Sequence, residues 1–116
     1  MALPVTIKKA EFLELLKELG SHSLYYPDEF SKWLADCGLS TTVAPDGQGL
    51  LIEGQLIPLS TPEWGEPGIS TLSVLGTVYE LASGESPHSK MTGRGFWYRH
   101  VMNDLATHWG LDAKYL

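Results

Sequence analysis

Apolar residues recur along the chain with two different periods, and the change between them divides the sequence into segments. In the first segment, apolar side chains stand three and four positions apart, which places them on one face of a helix. These residues are Phe12, Leu15, Leu16 and Leu19. Thr6 can cap the start of this helix and Gly20 stands where a helix C-terminus prefers glycine, so the pattern predicts a helix over 7–19.

The same helical spacing recurs in a second segment, whose apolar positions are Phe30, Trp33, Leu34 and Cys37. Pro27 suits the first position of a helix, where its missing N–H costs nothing, and Gly38 suits the position after the last turn. The pattern therefore predicts a second helix over 27–37. Two consecutive amphipathic helices with a short connection are expected to form an αα-hairpin.

After Gly38 the pattern changes to that of short β-strands. Runs of β-branched and aliphatic residues at 41–43, 50–52 and 55–57 are separated by turn-forming residues. The last two runs flank Glu53-Gly54, and a two-residue turn between apolar runs is typical of a β-hairpin. We therefore expect a three-stranded antiparallel sheet spanning 41–58.

The rest of the chain predicts two more helices. Residues 69–83 fit a helix, which we favour, although Val74 and Val78 also suit a strand. A polar loop follows, and then a helix predicted over 96–109. The predicted fold is α+β, with an αα-hairpin, a small three-stranded antiparallel sheet and two further helices packed on it. The residues expected in the core are Leu15, Trp33, Leu34, Leu56, Val101 and Leu105.

The composition is that of an ordinary globular protein. A chain of 116 residues with 43% apolar and 19% charged residues is expected to form a single compact domain over 1–116. Cys37 is the one cysteine and cannot form an internal disulfide, which suits a reducing compartment. No signal peptide or apolar run long enough to span a membrane is visible. These features predict a soluble cytoplasmic protein with no membrane partner.

The distribution of charge is the most unusual feature of the sequence. All eight lysines and arginines lie outside residues 33–89, while that segment carries seven carboxylates. With a formal net charge of −6, the chain has too few cations to neutralise many phosphates, which argues against direct nucleic-acid binding. An acidic surface instead favours a basic protein as the partner.

Trp64 lies between two glutamates and two prolines in the segment Ser60-Thr-Pro-Glu-Trp-Gly-Glu-Pro-Gly68. A large aromatic side chain on a stiffened loop has the chemistry of an interface anchor; alternatively, the tryptophan folds back over the core. The same two interpretations apply to Tyr25 and Tyr26. In the interface interpretation, Trp64 is the anchor and nearby carboxylates steer the partner, namely Asp46, Glu53, Glu63 and Glu66.

His100, Asp104 and His108 follow one another at intervals of four residues on the last predicted helix. Neighbouring members share a face, and an imidazole and a carboxylate at this spacing can bind one divalent ion. The outer two would lie about 12 Å apart along the axis, so a complete shell needs another ligand, such as His22, His88 or Cys37. The alternative is a solvated helix edge, and we predict no cofactor.

Lys90 and Arg94 lie in a glycine-containing loop just before that helix. Two cations ahead of a helix N-terminus could hold an anion. The segment is not a Walker loop, because Ser89 stands where that motif requires glycine and Met91 where it requires Ser or Thr. The alternative is a surface loop whose cations meet the protein's own carboxylates.

These features favour a small acidic protein-binding module that occludes or regulates a basic macromolecular partner, in the manner of inhibitors and immunity proteins. An enzyme is therefore not the favoured interpretation. The first alternative is a metal- or anion-dependent enzyme that uses residues 88–108. The second is a structural subunit that buries its aromatic residues in a homo-oligomer.

Overall fold

The computed structural model describes residues 3–21, 23–86 and 94–112, and within them four α-helices and five short β-strands. The helices are α1 (Lys9–Leu19), α2 (Pro27–Asp36), α3 (Thr71–Ser83) and α4 (Arg94–His108). Strands β2 (Thr41–Val43), β3 (Gly49–Ile52) and β4 (Gln55–Pro58) form one antiparallel sheet, and β1 (Leu24–Tyr25) pairs with β5 (Ile69–Ser70). The predicted α+β fold is confirmed, including its three-stranded antiparallel sheet. The helix predicted over 69–83 is present but begins at Thr71, because residues 69–70 form β5.

Helix α2 ends in a turn that depends on Gly38. The N–H of Gly38 donates to the carbonyl oxygen of Ala35 at 2.9 Å, and the N–H of Leu39 donates to that of Leu34 at 3.1 Å. This pair of bonds defines a Schellman C-terminal turn, in which the residue after the C-cap takes the left-handed conformation. Gly38 has the required φ of +87°, as the sequence predicts.

The predicted start of α1 and its Thr6 cap are wrong. The helix begins at Lys9, Lys8 is the N-cap residue, and no side chain caps this end. The preceding backbone lies against the end of α2, where the N–H of Lys8 donates to the carbonyl oxygen of Cys37 at 2.7 Å. That long-range contact holds the segment outside the helix, which a local pattern does not reveal.

The alternation of side chains along the hairpin decides which residues reach the core. The turn at 53–54 pairs Leu51 with Leu56 and Leu50 with Ile57. Leu50 and Ile57 are buried, whereas Leu56 is 54% exposed. The predicted burial of Leu56 is therefore wrong, because neighbouring residues of a strand point to opposite faces and Ile57 takes the inward position.

The core lies between the inner face of this sheet and the helices. The predicted core residues that are fully buried are Leu34, Val101 and Leu105. Those that are only partly buried, packed against the same core, are Leu15 and Trp33.

The β1–β5 ladder has no counterpart in the sequence analysis. Leu24 pairs with Ser70 and Tyr25 pairs with Ile69, so the connection between α1 and α2 is bonded to the segment that leads into α3. Each strand has only two residues, too few to show any period in the sequence. This ladder positions the surface described next.

Candidate functional site

Trp64 lies in a loop that runs from Ser60 to Gly68, here called the Trp64 loop. Two backbone hydrogen bonds between Ser60 and Gly68, with N···O distances of 2.8 and 3.0 Å, close its base. On one side Leu59 packs against the core, and on the other Ile69 is fully buried. Trp64 itself is 87% exposed, and so it does not fold back over the core.

Gly68 fixes the base of the Trp64 loop against β1. A Cβ at this position would lie 2.9 Å from the carbonyl oxygen of Tyr25 and 3.1 Å from the Cβ of Leu24. A side chain would therefore push the loop away from β1. Pro62 and Pro67 restrict the backbone near each end of the loop.

A side-chain hydrogen bond joins the Trp64 loop to α2. Tyr26, the N-cap residue of α2, donates its hydroxyl hydrogen to Oε2 of Glu66. Its neighbour Tyr25 is partly buried and packs edge-to-face on Phe30 and Trp33, with ring centroids 5.8 and 5.2 Å away. Of the two interpretations, core packing therefore holds for Tyr25, whereas Tyr26 is 51% exposed.

The hydrogen bond to Glu66 raises the pKa of Tyr26 above its ordinary value of 10.0. The carboxylate accepts the phenolic hydrogen and its charge opposes ionisation, and desolvation and the charges of Glu29 and Asp28 act in the same direction. A raised pKa in the folded state stabilises the fold below pH 10.0, and this contribution is lost as the pH rises through the folded pKa.

Glu66→Gln should therefore lower the pKa of Tyr26 toward its ordinary value, because an amide carries no charge to oppose the phenolate. The measurement is an alkaline titration followed by NMR of the tyrosine ring carbons. Glu18→Gln removes an exposed carboxylate from α1 and should leave the Tyr26 midpoint unchanged. A Tyr26 midpoint equal in the wild type and in Glu66→Gln would show that this bond does not form in solution.

A groove lies between the start of α2 and the Trp64 loop, with a volume of about 380 Å³; we call it the Tyr26 groove. Its polar lining residues are Tyr26, Glu29 and Glu66, and its lining also includes Leu24, Tyr25, Pro67 and Gly68. Glu29 is not among the site residues that the sequence predicts; it lies in the first turn of α2, where an acidic residue is ordinary. The adjacent pair Tyr25-Tyr26 is the sequence feature that could have located the groove, because both tyrosines line it.

The other predicted steering carboxylates lie in different surroundings. Glu63 is exposed on the Trp64 loop, and Asp46 is exposed in the turn between β2 and β3. Glu53 is partly buried, and its carboxylate accepts a hydrogen bond from the N–H of Ser40 at 2.5 Å. The N–H of Glu53 also donates to the carbonyl oxygen of Ser40 at 2.8 Å. Glu53 therefore holds the β3–β4 turn to the residue before β2, and its role in steering a partner stays a prediction.

The histidines proposed as metal ligands lie on α4, with His100 half-buried and His108 exposed. Asp104, between them, accepts a hydrogen bond from the hydroxyl of Tyr79 on α3. Across the described ranges, no three His, Cys, Asp or Glu side chains are grouped so that they could hold a metal ion. The metal site stays a prediction from the sequence.

The predicted anion site falls mostly on residues that the structure does not describe. Lys90 lies outside the described residues, as do His22 and His88, and Arg94 is the first residue of α4. The anion site also stays a prediction. Cys37 is buried in the core, and this burial raises the pKa of its thiol.

Comparisons of the chain with protein-family models, with curated proteins and with solved structures found no match in any of the three. Within the described residues, none of the helices is both long and apolar enough to cross a membrane. Any functional conclusion therefore depends on the surface that this chain itself presents.

Proposed function

We propose that this chain is a small acidic protein-binding module that occludes or regulates a basic macromolecular partner through its Trp64 loop. The observation that carries the proposal is the 87% exposure of Trp64 on a loop whose two ends are fixed. On binding, an exposed tryptophan removes a large apolar area from water and loses few rotamers. Tryptophan is therefore enriched among binding hot spots.

The fixed loop base supports this role energetically. A loop that becomes ordered only on binding loses conformational freedom at that moment, and this loss reduces affinity. In the Trp64 loop, the hydrogen bonds between Ser60 and Gly68 are already formed, and Glu66 is bonded to Tyr26. Docking of Trp64 would therefore not have to order the base of the loop.

The charge of this surface favours a basic partner over a second copy of the chain. Glu63 and Glu66 flank Trp64, and the segment 33–89 contains no lysine or arginine. Two copies that met through their Trp64 loops would bring like charges together, which costs free energy and opposes pairing. A basic partner gains from the same charges, mainly through faster association.

The test is the replacement of Trp64 by alanine. The wild-type chain is used to capture partners from a lysate of the source organism at low salt, and the captured basic protein is then purified and titrated by calorimetry. Loss of a tryptophan hot spot costs about 2 kcal/mol or more, so Trp64→Ala should weaken binding by about 30-fold or more. Leu56→Ala is the matched control, because it removes another exposed apolar side chain from a different surface.

Both variants should remain as stable as the wild type to within about 0.5 kcal/mol, since the side chains removed are on the surface. Equal affinities of the wild type and Trp64→Ala would overturn the proposal. Self-association detected by sedimentation and abolished by Trp64→Ala would also overturn it, in favour of the homo-oligomer alternative.

A further inference from the structure

The Tyr26 groove has a composition that suits a cationic side chain. Its lining includes two carboxylates, Glu29 from α2 and Glu66 from the Trp64 loop, together with the exposed Tyr26. Leu24 and Pro67 add apolar lining. A ligand that matches all of this has a positive, hydrogen-bonding head and an apolar stem.

The carboxylates of Glu29 and Glu66 are not neutralised from within the described part of the chain. Tyr26 and Glu66 form a hydrogen bond, in which the phenol supplies a single hydrogen and no charge. Lys32, one helical turn after Glu29, is the nearest basic residue in the sequence. Among the described residues, no lysine or arginine forms an ion pair with Glu29 or Glu66. The carboxylates therefore keep acceptor capacity for a ligand from outside.

We propose that the Tyr26 groove receives an arginine side chain of the partner, beside the docked Trp64; this inference rests on the proposed function. A guanidinium group is planar and presents parallel N–H donors that match a carboxylate. Its flat face also stacks on an aromatic ring such as that of Tyr26. A lysine ammonium is a compact charge that is more strongly hydrated, and it matches neither feature as well.

The arginine stem explains the mixed lining of the groove. The three methylene groups of arginine can lie along apolar surface while the head remains hydrogen-bonded. Leu24 and Pro67 supply such surface. The partner segment is thus an arginine-containing stretch of a protein surface.

The inference is tested on the full chain with three capped tetrapeptides, made of arginine, of lysine and of citrulline. Citrulline keeps the shape of arginine and lacks its charge. In an NMR titration, the arginine peptide should shift the amide resonances of Tyr26, Glu66 and Gly68, and the citrulline peptide should not. The arginine peptide should bind about three- to tenfold more tightly than the lysine peptide, as expected for one better-matched, partly exposed ionic contact.

A pair of double variants separates local recognition from general attraction to an acidic protein. Glu29→Gln/Glu66→Gln removes two charges from the groove, and Glu14→Gln/Glu18→Gln removes two exposed charges from α1. The groove variant should weaken arginine-peptide binding by about tenfold, and the α1 variant by less than about twofold. Circular dichroism checks that both variants are folded.

Equal weakening in the two double variants, or lysine binding as tight as arginine binding, would overturn the arginine groove. These failures differ from failure of the proposed function. If partner capture depends on Trp64 but peptide binding does not depend on Glu29 and Glu66, only the groove inference is wrong. If capture does not depend on Trp64, the proposed function is wrong whatever the peptides do.

Discussion

Replacing Gly38 by alanine should destabilise the protein by about 2–5 kcal/mol. The left-handed conformation of this residue, with φ of +87°, costs a non-glycine residue about 1–2 kcal/mol. In addition, the new Cβ would lie 2.5 Å from the carbonyl oxygen of Thr6 and 3.0 Å from the Cα of Ile7. Both neighbours are backbone atoms that cannot rotate away, and such overpacking costs about 1–3 kcal/mol more.

Gly110→Ala is the matched control for this prediction. Gly110 ends α4 in the same kind of turn. The N–H of Gly110 donates to the carbonyl oxygen of Thr107, and the N–H of Leu111 donates to the carbonyl oxygen of Ala106. Its φ is +74°, but a Cβ there would meet no atom within 4 Å. The control should therefore lose only about 1–2 kcal/mol, and the difference between the two variants measures the contact of Gly38 with the segment before α1.

Thermal and urea unfolding measure both variants, with a shift of roughly 4 °C in Tm for each kcal/mol in a chain of this size. The entropy that alanine removes from the unfolded chain is the same in both and cancels in the comparison. Equal losses in Gly38→Ala and Gly110→Ala would contradict the packing of the N-terminal segment on the end of α2.

The sequence predicted the elements of this fold wherever the signal was local. The stripe in 27–37, with Pro27 at one end and Gly38 at the other, specified α2 almost to the residue. The run at 41–43 and the two-residue turn at 53–54 specified the sheet. Helical spacing and glycine-containing turns depend on neighbouring residues, and so they can be seen in one sequence.

The errors and omissions arise from contacts between residues far apart in the chain. Thr6 was a reasonable cap by local rules, but the backbone before α1 packs on Gly38 instead. The exposure of Leu56 depends on which strand position faces the core. The β1–β5 ladder joins two-residue strands separated by more than forty positions, and no local pattern marks them.

The candidate surface was predictable in part for the same reason. The composition of the Trp64 loop suggested an interface anchor, and the structure leaves Trp64 exposed. The groove beside it is lined by Tyr26 and Glu66, which are joined by a hydrogen bond and lie forty residues apart in the sequence. The hydrogen bond between Glu53 and Ser40, thirteen residues apart, is likewise invisible in the sequence.

Replacing Phe30 by alanine should destabilise the protein by about 3–5 kcal/mol, because the loss of a buried aromatic side chain leaves a cavity. Phe30 is fully buried and packs edge-to-face on Tyr25 and Trp33, with both ring centroids 5.8 Å away. Such ring pairs contribute about 0.5–1.5 kcal/mol beyond their buried area. Phe30→Leu keeps most of the apolar volume and loses the ring contacts, so it should cost about 1–2 kcal/mol.

The comparison with Trp64→Ala makes this experiment a test of the candidate surface as well as of the core. Both variants remove a large aromatic ring, but Phe30 is 0% and Trp64 is 87% exposed. Urea unfolding should therefore show a large loss of stability for Phe30→Ala and a change within about 0.5 kcal/mol for Trp64→Ala. If Trp64→Ala loses as much stability as Phe30→Ala, Trp64 packs on the core in solution and is not available to anchor a partner.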